Sequence, residues 1–147
     1  MATTNKRDWV LLALALANGS PLSPVQIQKT IFLFGKLLSK EALPESFYEF
    51  SADNYGPFCG EIYDDVRQLA AEGLVSIGKP SYGNYFLYAA TQEGIKQGMA
   101  FAKTLPSSVV DHARRIVVWV QAQTFRSLVA AIYQAYPEYR ANSIFKG

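Results

Sequence analysis

The chain has 147 residues, half of them apolar, with a formal net charge of +2, one cysteine and one histidine. That is enough apolar material for a single core, too little charge for a general polyanion-binding field, and too little cysteine for a disulfide framework. The usual zinc ligand sets are excluded too, and a lone cysteine fits a reducing, cytoplasmic setting.

Residues 1–7 read as a polar tail. Asp8 caps a helix to about Ala17, and Asn18-Gly19 stops it. Lys6 and Arg7 before the apolar run from Trp9 to Ala17 also resemble a secretory leader. The run is short and starts beside Asp8, so a buried first helix is the better reading. No run approaches the ~20 apolar residues of a membrane span. Ser23-Pro24 starts a second helix, to about Ser39, with an N-cap and an N1 proline. Ile27, Ile31, Phe34 and Leu38 share one face of it, and Val25, Phe32 and Leu37 broaden that face. Phe47-Tyr48-Glu49-Phe50 reads as a brief strand, and Asp53-Asn54-Tyr55-Gly56-Pro57 as a turn cluster.

A third helix is predicted from about Phe58 to Glu72, with Ile62, Val66 and Leu69 as its core stripe and Gly73 as its C′ stop. Leu74–Lys79 and Tyr85–Ala90 then read as two strands joined by Ser81-Tyr82-Gly83-Asn84. Thr91 with Gly94 opens a fourth helix, to about Thr104. This order is that of the second half of a winged helix-turn-helix domain. After Pro106, Ser107 caps a fifth helix to about Gln121, apolar over most of its circumference from Ile116 to Val120. A sixth covers roughly Thr124 to Tyr136. The expected fold is therefore mainly α with a small β-hairpin. Residues 8–95 form a winged-helix domain, and 96–147 a C-terminal helical extension on the same core.

Catalytic chemistry is thin. Asp111 and His112 are adjacent on a helix and do not face one another, so a base-orienter pair is poorly served. No phosphate-binding glycine loop or nucleophile elbow occurs. Cys59 lies near a helix start, where a dipole lowers a thiol pKa, but no basic residue stands near it in sequence; a small, half-buried structural residue is expected. Asp64-Asp65 diverge by about 100 degrees on a helix and lack a third ligand. The expectation is a protein that is not an enzyme and has no cofactor and no metal.

The third helix is acidic outside. With Ile62 at zero on a helical wheel, Asp64, Gln68, Glu61, Glu72 and Asp65 cluster between about 200 and 300 degrees. Carboxylates there repel phosphate backbones, and only Arg67 and Gln68 are base-reading types. Residues 60–80 carry two basic and four acidic side chains, whereas 81–147 carry seven basic and three acidic. Tyr82, Tyr85 and Tyr88 on the wing are of a type favoured at protein interfaces. Glu61, Asp64, Asp65, Gln68, Tyr82 and Tyr85 are the expected partner-binding residues. The plain alternative for the acidic face is solvation.

Gln26-Ile27-Gln28-Lys29-Thr30-Ile31-Phe32-Leu33, then Tyr55-Gly56-Pro57-Phe58, then Ile62-Tyr63 resemble the Panacea domain of SocA-like antitoxins. The likeness covers about residues 8–75. It implies an antitoxin or adaptor that binds another protein, such as a cognate toxin, with Gln28, Lys29, Tyr55, Gly56 and Pro57 as its motif residues. Read physically, Gly56-Pro57 forms a tight entry to the third helix, Tyr55 packs beside it, and Gln28 and Lys29 hydrogen-bond that turn. The alternative is a DNA-binding regulator of the winged-helix type, drawing its cations from Arg114, Arg115, Arg126 and Arg140.

Overall fold

A computed structural model describes residues 5–79 and 85–144. Its first helix, α1 (Arg7–Leu16), has every residue from Trp9 to Leu16 buried. A helix that is apolar all round belongs at the centre of a core, and α1 lies there, against α2 (Pro24–Leu37), α3 (Glu61–Ala71), α4 (Gln92–Ala102) and α5 (Ser107–Gln121). Asp8 lies inside the first turn rather than at the cap, which is Lys6; a carboxylate is still well placed at that end of the helix dipole.

The start of α2 follows the sequence. Ser23 accepts from the Gln26 backbone N–H, Gln26 returns a bond to the Ser23 N–H, and Pro24 occupies the first turn. Trp9 meets Phe34 of α2 and Phe101 of α4 edge to face, at 6.2 and 5.2 Å between ring centroids. Gly98 lets α4 approach α1 closely: a Cβ there would come within 2.5 Å of the Ala15 Cβ. Buried apolar residues run continuously from Trp9 through Ile132, so segments 8–95 and 96–147 share one core. α6 (Phe125–Ala135) and a short 3-10 turn (Pro137–Arg140) are the last elements among the described residues.

The architecture is mainly helical with two small antiparallel strand pairs. β3 (Val75–Gly78) pairs with β4 (Leu87–Ala90), Val75 opposite Ala90 and Gly78 opposite Leu87. Both strands are shorter than expected. On the free edge of β4, Leu22 forms an isolated antiparallel bridge with Tyr88, with N–H···O distances of 2.8 and 2.9 Å. The expected turn 81–84, and Tyr82 with it, lie outside the described residues.

The second strand pair departs from expectation. Phe47-Tyr48-Glu49-Phe50 is not a strand; the pairing begins one residue later, with β1 (Ser51–Asp53) against β2 (Gly56–Phe58). Consequently α3 begins at Glu61, not Phe58. Pro57 lacks an N–H and is tolerated because β2 has a partner strand on one side only. Gly73 closes α3 as expected, at φ +80°. The fifth helix is less buried than its sequence suggests, for Val118 and Trp119 are exposed. No described helix is long and apolar enough to cross a membrane.

Candidate functional site

Gln28 and Lys29 are only 2% and 3% exposed, although they sit mid-helix on α2. Their burial has a specific cause. β2 presents an edge without a partner strand, and the two side chains serve it instead. Gln28 Nε2 donates to the Cys59 carbonyl and Gln28 Oε1 accepts from the Cys59 N–H, both at 2.9 Å. A primary amide has the donor and acceptor of a peptide group, so Gln28 substitutes for a neighbouring strand. Lys29 Nζ donates to the Pro57 carbonyl at 3.2 Å. Lys29 thus bonds the 56–57 turn as anticipated, whereas Gln28 bonds Cys59, two residues beyond it.

Burial lowers the Lys29 pKa to about 8, opposed by the charge of Asp53. The Lys29 ammonium borders a cavity of about 250 Å³, together with Gln28, Asp53, Tyr55 and Tyr63. Gly56 forms part of its wall at φ +105°, in the region that favours glycine. A Cβ at Gly56 would lie 3.4 Å from the Tyr133 ring and 3.5 Å from Lys29. Tyr55 is exposed and stacks edge to face on Phe125 at the start of α6, 5.2 Å between centroids. The Asn54 carbonyl, at the tip of the same hairpin, accepts from Ser143 Oγ at 3.2 Å and from the Ile144 N–H at 3.0 Å, tying the C-terminal segment to the turn. Nothing in the sequence pattern signalled that tie.

The acidic face of α3 is largely engaged within the chain. Lys6 Nζ pairs with Glu61 at 2.6 Å. Arg7 makes a two-pronged pair with Glu72, at 2.6 and 2.8 Å, and donates to Gln68 at 3.1 Å. The Arg7 hydrogen bond holds the Glu72 carboxyl below its usual range. Arg67 pairs with Asp64. Asp65 does not point outward as the wheel suggested: it is half-buried and accepts a hydrogen bond from the Tyr48 hydroxyl. Burial first, and then that bond, push the Tyr48 hydroxyl upward. Of the expected wing residues, Tyr85 is 50% exposed, with Phe86 exposed beside it, whereas Tyr88 is buried and unavailable to a partner.

Tyr85 and Phe125 also border an apolar groove of about 460 Å³ that runs past Pro24 and Val25. Tyr85, Tyr55 of the 53–57 turn and Phe125 at the α6 start therefore surround one end of α2. Cys59 is buried, and its backbone is committed to Gln28. His112 is half-buried on α5, on the wall of a different groove. Comparison with protein-family models gives no match, and neither does comparison with the curated proteins.

Proposed function

We propose that the chain is a non-enzymatic protein-binding module on a winged-helix frame, acting as an antitoxin or adaptor of the kind that the Panacea resemblance implies. The frame is supported by the Leu22–Tyr88 bridge. It places a short extended segment between α1 and α2 against β4, with β3 on the other side, as a winged helix requires. The recognition helix is then α3 and the wing is the β3–β4 hairpin.

One observation carries the choice of partner class. The outer face of α3 keeps no cation for phosphate: Arg67, the helix's one basic residue, is tied to Asp64. A groove-reading helix meets phosphates on both sides and needs cations there. The wing offers Lys79, which lies 5.2 Å from the centre of the Phe86 ring. Exposed aromatic side chains, by contrast, favour a protein surface, because they bury large area at low entropy cost.

The test is cross-linking of the tagged full chain in its native host, followed by mass spectrometry and nucleic-acid sequencing. One protein partner is expected, and the Tyr85→Ala/Phe86→Ala double variant should lose it. Recovery of DNA with no protein partner would overturn the reading in favour of a regulator.

A further inference from the structure

Three apolar side chains on the opposite part of the molecule are exposed without any role in the core. Leu37, at the end of α2, is 45% exposed; Trp119 on α5 is 38% exposed; Val118 beside it is exposed as well. Leu37 and Trp119 border a groove of about 400 Å³ whose walls are α5 and α6 and whose floor is α2. Leu33, Ile116 and Ile132 form its buried base. On the α6 wall, Ala131 and Ala135 are four residues apart, one turn of helix. Small side chains at that spacing keep the wall low, so another helix can approach closely.

Among the side chains that line the groove, the one formal charge is positive. Arg115 lines it, and no carboxylate does. Lys36 stands at the α2 end, its Nζ 5.6 Å from the centre of the Tyr136 ring, which also lines the groove. Neither Arg115 nor Lys36 makes an ion pair among the described residues. Tryptophan and arginine are also the side chains that most often dominate interface energies.

We propose that this groove docks an amphipathic helix of a partner protein, its apolar face against Trp119 and Leu37 and its flanking carboxylates on Arg115 and Lys36. The proposal rests on the reading of the chain as a protein-binding module, and places a second contact surface away from α3 and the wing. Shape alone admits a helix of either charge; the cationic border selects an acidic one, by favouring its approach and disfavouring a basic one.

Trp119 provides the readout. The other tryptophan, Trp9, is fully buried, so a change of emission on binding reports the groove. The full chain is titrated with two synthetic helical peptides that share one leucine face. One carries glutamate on its flanks, the other lysine. The acidic peptide is expected to bind at least about tenfold more tightly, and Arg115→Glu should abolish or reverse that preference. Leu37→Asp, at an exposed position, should weaken the acidic peptide about tenfold with an unchanged melting temperature. Trp119→Ala, followed by peptide anisotropy, should do the same. Equal affinity for both peptides, binding to neither, or indifference to Arg115→Glu would overturn the proposal. So would sedimentation of the wild type as a dimer that Leu37→Asp converts to monomer, because the groove would then belong to a second copy. A cross-linked protein partner lost in the Tyr85/Phe86 variant alongside peptides that fail would sink the groove and leave the module reading intact.

Discussion

At the scale of single residues, the unusual feature is a pair of polar side chains buried on α2 to complete a strand edge. Gln28 satisfies both backbone groups of Cys59. Gln28→Leu leaves a buried N–H and a buried carbonyl unpartnered, at about 1–3 kcal/mol each. We predict a loss of about 2–5 kcal/mol, measured by urea unfolding. Lys29 gives a prediction with a definite sign. Its folded pKa of about 8 lies below the ordinary 10.5. Between those values the unfolded chain binds more protons, so stability rises with pH. The penalty is fully present below pH 8 and is relieved toward 10.5. The contribution should grow by about 2 kcal/mol from pH 7 to 9.5, and Lys29→Met should remove that slope. Tyrosines work in the opposite direction at higher pH, since Tyr63 is pushed up to about 12, so the comparison stays below pH 10. Gly56→Val should cost about 1–3 kcal/mol because of its positive φ; an unchanged melting temperature would show that this turn carries no special conformation. The Gln28, Lys29 and Gly56-Pro57 set was legible in the sequence as a motif with a plausible hydrogen-bonding role. The burial of both polar residues was not, because a glutamine or lysine in mid-helix ordinarily faces water.

At the scale of elements, helices were legible and short strands were not. The Ser23-Pro24 start and the Gly73 stop carry strong local chemistry, and both stand where the sequence put them. β1 and β2 have three residues each, too few for a period of two to register, and the outer side of β2 is supported by Lys29 from a distant helix, with Gln28 on the residue that follows. The aromatic run at 47–50 drew the strand assignment away from the true position. On α3 the wheel placed Glu61, Asp64, Gln68 and Glu72 on the surface correctly, but it could not foresee the tail. Lys6 and Arg7, in a segment read as unstructured, cover that face. Exposed ion pairs contribute little and are screened by salt. A Lys6→Ala/Arg7→Ala variant should therefore melt slightly below wild type at low salt, and the two curves should converge near ~1 M salt. Acid separates the same pair. The Glu72 carboxyl is held below its unfolded value, so this support is present above that value and is lost as pH falls through the folded one.

At the scale of the whole molecule, the sequence conveyed the order of the helices and of the β3–β4 pair, but not the grooves. Exposure of Trp119 and Leu37 depends on how far α5 and α6 stand apart across α2, a tertiary relation with no local signature. The stretch Ile116 to Val120 read as apolar over most of its circumference, and two of its members face solvent. Charge distribution supports the proposed partner class at this scale. Net charge is +2, Glu61, Asp64 and Glu72 are ion-paired, and the surplus cations lie in the C-terminal segment. Such a surface gives no dense phosphate-binding track along α3 and the β3–β4 pair. Fluorescence anisotropy of the wild-type chain with a labelled random-sequence duplex, titrated across salt concentrations, tests this most directly. The account predicts no saturable binding below ~10 µM at ~150 mM salt and a shallow salt dependence. Submicromolar binding at that salt, with affinity falling as steeply as the release of six to ten counterions requires, would contradict it and make the chain a DNA-binding regulator.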